Sequence, residues 1–571
     1  MASAVLLPKS QGKERIDLAG RPYLAFLWAA FLTALIAGPW LLPGYLFGTD
    51  WPGPRRFEFP SSASSEMVLY AVLALASRVL GGELTSKLFV LGALFASAAL
   101  AYRAVPSKGF LSGAAAATIY VANPFVYGRL HYGQFFVLAA YAALPWMALR
   151  LRRLVGEPGV GTALVAALSL AVLGVLSLHF LLIAGVLYVA VVVAYVLAAR
   201  PMLPYLKRLV APLVIMFLAV FAASAYWVVP LLRGTNSEGA RLAGIGLGDL
   251  NAFAAIPDRS LGIVPNLLGL YGFWAEATGR FTSMKAFVPA WPAALGVLLI
   301  LCGVGAFAAL RDRDQGLAPW VLGLLAGAIA ALILEIGISY PLTARIVQWL
   351  YAEIPTYRGM RDAGKWGAML ALVYSQLVGF GAVAILAWLK KRVRDPVGSE
   401  WVAGFAAALV LALPLYCGNG LLFGAHGEIK PSAYPAGWYA ADRLLSSDTH
   451  PGRTLVLPWH EYMSYSFVQN RNNVIASPAP GFFSVPVLVS ADPEVPGISP
   501  PQDPDQLVVS GLVRDGAKGD WGQVLAAYGV KYVVLTREVD WHSYAFLDTQ
   551  PGLTKVGDYE SIVIYAIHPQ A

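Results

Sequence analysis

The sequence has 571 residues, of which 58% are hydrophobic and only 13% charged, with a formal net charge of +8 and a mean hydropathy of +0.62. Soluble domains carry roughly a quarter charged residues, so this composition excludes an ordinary soluble enzyme and specifies an integral membrane protein. The basic excess collects in short loops between apolar runs, where cytoplasmic anchoring places it, and it calls for no nucleic-acid partner.

The N-terminal basic residues Lys9, Lys13, Arg15 and Arg21 precede the first apolar run. No small-residue cleavage site follows that run, which reads as a retained anchor. A membrane-spanning helix needs about 20 apolar residues. Spans are predicted at 23–42, 87–104, 109–127, 134–149, 160–177, 180–199, 209–231, 286–310, 317–339, 365–389 and 401–420, about eleven in all. The stretch 66–80 is short for a span at about 15 residues. Glu66, Tyr70 and Ser77 fall near one of its helical faces, which suits a helix lying at the interface.

Charge decides the topology. With 66–80 left out of the count, five basic clusters lie on one side together with the N-terminus: Arg103/Lys108, Arg150/Arg152/Arg153, Arg200/Lys207/Arg208, Arg311/Arg313 and Lys390/Lys391/Arg392/Arg394. That side is the cytoplasm by the positive-inside rule; a crossing at 66–80 would move every cluster outside. The outer side then holds the loop with Asp50 and its surface helix, the turn at 124–133, the loop 232–285, the segment 340–364 and everything after about residue 421. Irregular backbone, aromatic residues and unexplained charges collect there, so the active side is expected outside, in a multi-pass protein of the plasma membrane.

Three outer stretches carry candidate chemistry. In Tyr45–Glu58 the first acid is Asp50, a carboxylate suited to take a proton from a hydroxyl; the alternatives are a helix cap or a pair with Arg55 or Arg56. Trp51 and its aromatic neighbours suit stacking on a sugar ring, and Arg55, Arg56 and Glu58 complete a polar set. At 123–134, Pro124 and the glycines break a helix, and Arg129, His131, Tyr132 and Gln134 sit in the break as ligand contacts or as an interfacial belt. At 357–366, Arg358, Arg361 and Lys365 are spaced to share one helical face. They stand at the outer N-terminal end of a span, where a lipid phosphate would satisfy them and Asp362 would offset them in part. Pro341–Tyr351 reads as an interfacial helix beside a lipid groove. His179 and Glu335 are the ionisable residues at span ends, facing a cavity or held structurally.

Residues 424–571 have soluble composition. Strands are predicted at Arg453–Leu457, Lys531–Thr536 and Ser561–Ile567, short helices at Trp438–Leu445 and Asp520–Tyr528, and a long loop or lid at 478–504. The runs around His460 and His542 match no zinc spacing, and there is no phosphate-cradling glycine motif for a nucleotide donor. Cys302 and Cys417 both lie in apolar segments, against a disulfide framework or a cysteine metal site. The fold expected is a polytopic α-helical membrane protein with a C-terminal extracytoplasmic α/β domain, divided at 1–423 and 424–571.

This arrangement resembles the GT-C class of membrane glycosyltransferases. The stretches 120–146, 357–381 and 438–567 are similar to the N-terminal membrane part of arabinofuranosyltransferases and to archaeal and bacterial relatives. The resemblance implies transfer of a sugar from a polyprenyl-phosphate donor to a glycan, lipid or protein acceptor, amid membrane lipids. It places Asp50 as the base and Arg358, Arg361 and Lys365 on the donor phosphate. The sequence lacks the paired-acid motif of several class members, since Trp51 follows Asp50 and the next acid is Glu58, and this leaves use of Mg²⁺ or Mn²⁺ open. A flippase for lipid-linked saccharides is the alternative, although its usual repeats and midplane charges are missing; a non-catalytic envelope scaffold is another.

Overall fold

The computed structural model describes residues 22–568 except 108, 235–243, 313–315, 451, 499–500 and 502. The basic residues Lys9, Lys13, Arg15, Arg21, Lys108 and Arg313 lie outside the described residues. Among the described residues, nine helices are long and apolar enough to cross a membrane: Tyr23–Leu41, Met67–Ala104, Phe135–Gly156, Leu178–Ala198, Met202–Leu232, Trp291–Arg311, Ala318–Ser339, Ala363–Arg392 and Pro396–Cys417. A bent pair, Phe110–Val121 and Pro124–His131, makes a tenth. Val160–Leu176, a shorter apolar helix, stands where the remaining span was expected. The protein is therefore a polytopic helical membrane protein, with a C-terminal α/β region.

Met67–Ala104 joins the predicted surface helix to the span that follows it, with one interior break at Gly81 (φ 74, ψ 163). That backbone conformation is open to glycine alone at little cost, so the chain changes direction there. The helix Gly367–Arg392 runs through the middle of the bundle, and its residues from Gly367 to Ala382 are all buried. A helix that is apolar on every side is a core helix. It crosses Trp291–Arg311 backbone to backbone. A Cβ on Gly305 would stand 2.0 Å from the Leu377 carbonyl oxygen, and one on Gly381 would stand 2.3 Å from that of Leu301. Small residues at such a crossing let membrane helices pack without a solvent-driven force.

Among the described residues the C-terminal region has seven strands: β1 Arg453–Leu457, β2 Tyr462–Ser464, β3 Val474–Ala476, β4 Val487–Leu488, β5 Val530–Thr536, β6 Leu553–Asp558 and β7 Ile562–Ile567. Five form one mixed sheet in the order β4-β1-β5-β7-β6, and β2-β3 is a separate hairpin. β1 pairs parallel with β4 and β5, while β7 pairs antiparallel with β5 and β6. Alternate side chains serve two cores. Val456, Val534 and Ile564 pack with Trp438 on one face; Leu455, Leu457, Val533, Leu535 and Val563 pack with Trp521 and Leu547 on the other. The stretch 478–504, expected as a loop or lid, contributes a helical turn at Ala479–Phe482 and the edge strand β4.

A division at 423/424 describes the composition but not the packing. Phe47, from the first outer loop, is buried inside the C-terminal core. It lies edge-on to Tyr434 and Phe467 at 5.4 and 5.8 Å. Tyr45 and Ser432 exchange backbone hydrogen bonds of 2.8 and 2.9 Å. Asn470 Nδ2 donates to the Phe47 carbonyl (2.8 Å). Tyr434 Oη lies 2.9 and 2.8 Å from the carbonyl oxygens of Pro52 and Gly53 and donates to one of them at a time. The loop and the C-terminal region fold as one piece.

Candidate active site

Asp50 sits at the tip of a tight turn. Gly48 and Trp51 close it with mutual backbone hydrogen bonds of 2.8 and 3.0 Å. The turn is held from two sides. From the membrane bundle, the Asp50 amide donates to the Tyr132 carbonyl at 2.8 Å. From the outer region, the Ala476 amide donates to the Thr49 carbonyl at 2.9 Å. Asn472 Nδ2 donates to Thr49 Oγ1 (2.9 Å), which itself donates to the Val474 carbonyl (3.0 Å).

The approach to the bundle needs glycine on both partners. A Cβ on Gly48 would lie 2.5 Å from Gly133 Cα, and one on Gly133 (φ +68) would lie 2.8 Å from Trp51 Cβ. Gly48→Ala is expected to push the turn off the bundle and destabilise the protein by about 1–3 kcal/mol, as overpacking does. A thermal melt beside a transfer assay checks this, since activity should fall further than stability alone explains.

The broken helix supplies the next two residues. Asn123 caps Pro124–His131, accepting from the Val126 amide at 3.1 Å, and Pro124 at the first turn pre-sets the helical φ. The chain bends 41° there and leaves the helix at Gly133. Arg129 and Gln134 consequently point to the same place: Arg129 Nη1 donates to Gln134 Oε1 at 2.6 Å. Arg129 is 1% exposed and its guanidinium lies 4.3 Å from the centre of the Phe273 ring. Its charge is met by Asp362 Oδ2 at 2.5 Å. With the Gln134 carbonyl fixed on Arg129, its amide nitrogen faces Asp50 and donates to Oδ2 at 3.0 Å. A continuous chain Asp362–Arg129–Gln134–Asp50 results.

The Asp50 carboxylate is reached by solvent yet densely surrounded by protein. The side chain thus meets solvent with protein packed closely on its other sides. Loss of bulk water raises its pKa above the ordinary aspartate value, against the hydrogen bonds from Gln134 and Tyr462 and the charge of Lys365, which lower it.

Lys365 lies across from Asp50. It is 8% exposed, and Nζ stands 2.9 Å from His179 Nε2. His179 Nδ1 lies 3.0 Å from Ser177 Oγ, and the same Nε2 that faces Lys365 also lies 2.9 Å from the Gly359 carbonyl, so it bonds one or the other. The predicted single helical face does not exist: Pro355–Met360 and Ala363–Trp366 are separate 3₁₀ turns with Arg361 and Asp362 between them. Arg361 is paired with Asp249 (2.7 Å) and lies over Phe253 at 4.7 Å, within electrostatic range of Lys365. Arg358 Nε donates to the Tyr351 carbonyl at 3.3 Å. Among the described residues, no acid–base pair includes Lys365, whereas Arg129 and Arg361 each have a carboxylate.

Several other predicted residues are placed elsewhere. Trp51 is buried among protein rings, 5.0 Å from Phe135 and 5.9 Å from Phe89, so its face is not open to a sugar. Arg55 pairs with Asp442 (2.7 Å) and Arg56 donates to the Phe483 carbonyl; both tie the loop to the outer region. Glu58 is exposed. His131 is buried against Phe281 and Tyr127, at 4.8 and 4.5 Å, and Tyr132 is packed on Trp274 at 5.2 Å. Glu335 is buried beside Gly367, with Oε1 3.0 Å from where a Cβ would stand. The contributor that the sequence did not single out is Tyr462 of β2, whose hydroxyl donates to Asp50 Oδ1 at 3.3 Å from 412 residues away. The run 457–462 stands out for its histidine, acid and aromatic residues as packing or carbohydrate contacts, but the contact of Tyr462 with Asp50 is made by the fold.

No group of three His, Cys, Asp or Glu side chains that could hold a metal ion is found among the described residues. Near Asp50, Asp362 is engaged by Arg129, and Lys365 faces the same space. The residues present do not fit Mg²⁺ or Mn²⁺, and the chemistry below uses none.

Comparison of the sequence with protein-family models and with curated proteins finds no match. Comparison of the fold does. Arabinofuranosyltransferase AftD from Mycobacteria superposes with a TM-score of 0.60 at 16% identity, over 96% of this chain and 40% of AftD. The chain thus spans about two fifths of the length of that protein. The archaeal oligosaccharyltransferase AglB from Archaeoglobus fulgidus follows at 0.43, 12% identity, 92% of this chain and 70% of AglB. ArnT from Cupriavidus metallidurans, bound to undecaprenyl phosphate, follows at 0.40, 14% identity, 97% of this chain and 99% of ArnT. The chain shares the fold of the part of AftD that it matches.

Proposed function

We propose that the protein is a glycosyltransferase that moves one sugar from a polyprenyl-phosphate carrier to a hydroxyl acceptor at the outer face of the membrane. The observation that carries this reading is a buried cation, Lys365, that makes no ion pair with a carboxylate among the described residues and lies within electrostatic range of Asp50. A buried lysine that among the described residues is hydrogen-bonded to a histidine, with the carboxylates of Asp362 and Asp50 at longer electrostatic range, gains when an anion joins it, and a phosphate would do so. Its place at the end of the span Ala363–Arg392 puts that phosphate where a lipid headgroup lies. AftD, whose fold this chain shares, is an arabinofuranosyltransferase.

Asp50 accepts the proton of the acceptor hydroxyl. The acceptor oxygen bonds to the anomeric carbon while the bond from that carbon to the phosphate oxygen breaks, and its electron pair leaves with the phosphate. Lys365, with Arg361 nearby, stabilises that developing charge in a site that excludes bulk water. One base and direct displacement give inversion at the anomeric carbon. The basic clusters at alternate helix ends support a cytoplasmic N-terminus and an external site.

The test is transfer by the purified full chain from a panel of synthetic polyprenyl-phosphate pentoses and hexoses. Lys365→Met is expected to raise donor KM at least tenfold, one charge-assisted hydrogen bond being worth about 1.5–3 kcal/mol, with stability kept or improved. Movement of the lipid-linked sugar across vesicles without transfer would overturn the reading in favour of a flippase.

A further inference from the structure

Arg361 is held from outside its own segment, by the short helix Leu247–Ala252. Asp249, in the first turn of that helix, is 3% exposed and divides its two oxygens. Oδ2 accepts from the Gly246 amide at 3.1 Å and closes the start of the helix. Oδ1 accepts from Arg361 Nη1 at 2.7 Å. Phe253, four residues further on and so on the same face, has its ring centre 4.7 Å from the guanidinium carbon. One short element therefore takes one nitrogen and one face of Arg361. A guanidinium has five N–H donors, and the Arg361 side chain is 39% exposed, so donors remain for a ligand. Arg129, by contrast, is enclosed at 1%.

Arg361 belongs to the segment that carries Lys365. The Gly359 carbonyl oxygen and Lys365 Nζ each lie 2.9 Å from His179 Nε2. The run from Gly359 to Lys365 thus closes on itself at the start of the span Ala363–Arg392, with Arg361 inside the closure. The helix that holds Arg361 is fixed in its turn from two sides. Tyr351 Oη, from the helix Pro341–Glu353, donates to the Gly246 carbonyl at 3.0 Å. From the C-terminal region, the Gly497 backbone packs directly on Gly248, where a Cβ would stand 1.8 Å from the Gly497 carbonyl oxygen. Asp249 is presented at a set place, and Arg361 with it.

We propose that Asp249 is a positioning residue for the donor phosphate: it fixes Arg361 by one nitrogen so that the remaining N–H groups meet the phosphate beside Lys365. This rests on the reading of Lys365 and Arg361 as the donor-phosphate site. A long side chain ordered before the ligand arrives has less freedom to lose on binding. Charge works the other way, since a carboxylate near an anion site repels the anion. Removing Asp249 therefore separates the two effects by sign: lost positioning weakens binding, and lost repulsion tightens it.

The probe is a polyprenyl monophosphate without sugar, titrated into the purified full chain in nanodiscs of zwitterionic lipid. The polyprenol of the same length is the control for the tail. Asp249→Ala should weaken binding of the monophosphate by about twofold to tenfold, the cost of ordering one long side chain, and leave the polyprenol unchanged. Asp249→Asn keeps the side-chain shape and an oxygen for Arg361, so its loss should be smaller. Arg361→Met should weaken binding about tenfold or more. In that background Asp249→Asn should cause no further loss, there being no guanidinium left to aim. Unchanged or tighter binding in Asp249→Ala, or an equal loss from Asp249→Asn with and without Arg361, overturns the proposal. A wild type that binds the monophosphate no more tightly than the polyprenol overturns the reading of the donor site itself. Phosphate preference present in the wild type and lost in Lys365→Met, with Asp249→Ala unchanged, removes only the role of Asp249.

Discussion

Asp50→Asn is expected to slow sugar transfer by about 10²–10⁴-fold, the range over which a positioned general base acts. The change keeps the shape of the side chain and leaves an oxygen for Gln134 to bond, so the turn Gly48–Trp51 should stay in place. Stability should be equal or higher. Burial raises the Asp50 pKa in the folded protein, so ionised Asp50 costs stability at neutral pH and the cost is relieved as pH falls through the folded value. Activity runs the opposite way. Transfer requires the ionised form, so its acid limb should lie above the ordinary aspartate range and should vanish in the Asn variant. Initial rates against pH, with a melting curve for each variant, check both halves. An Asn variant that transfers at the wild-type rate removes Asp50 from the mechanism.

The second large effect is expected at the buried pair that orients this carboxylate. Asp362→Ala leaves Arg129, 1% exposed, without its counter-charge, and uncompensated charges of this kind cost about 3–5 kcal/mol. Replacing both residues together, by Arg129→Met with Asp362→Leu, should cost much less stability, because no charge is stranded. Activity should separate the two roles of the pair. The double variant folds, but Gln134 loses the donor that turns its amide toward Asp50, so transfer should stay low while the melt recovers. Denaturation of the single and double variants, beside transfer rates, decides this. A single variant as stable as the wild type would mean that the Arg129–Asp362 contact holds nothing.

How much of the site was legible depends on the distance over which each contact is made. Asp50, Arg129 and Lys365 stand out in the chain because each breaks a local pattern: an acid after an apolar run, a cation in an outer turn, a lysine at a span's outer end. Their neighbours mislead for the same reason. Trp51 and Tyr132 look like ligand-facing rings, but an aromatic residue at the membrane edge gains more by packing on Phe135 or Trp274 than by facing water. Arg55 and Arg56 look like substrate contacts, yet their partners, Asp442 and the Phe483 carbonyl, belong to a region the loop reaches only through the fold.

Most of the spans and the soluble composition of the last stretch follow from composition and periodicity alone, since burial in lipid demands about 20 apolar residues wherever it occurs. Which charges find each other does not follow, because Asp362 meets Arg129 across 233 residues and Tyr462 meets Asp50 across 412. No local rule covers contacts of that separation. They are set by helix crossings such as Gly305 on Gly381 and by the insertion of Phe47 into the outer core, where packing shape decides and sequence spacing carries no trace. Hence the sequence determined a membrane protein with an acidic outer loop and a basic helix end. Only the tertiary structure decided that Lys365 makes no ion pair with a carboxylate among the described residues, that Gln134 turns its amide to Asp50, and that the outer region supplies the hydroxyl on its other oxygen.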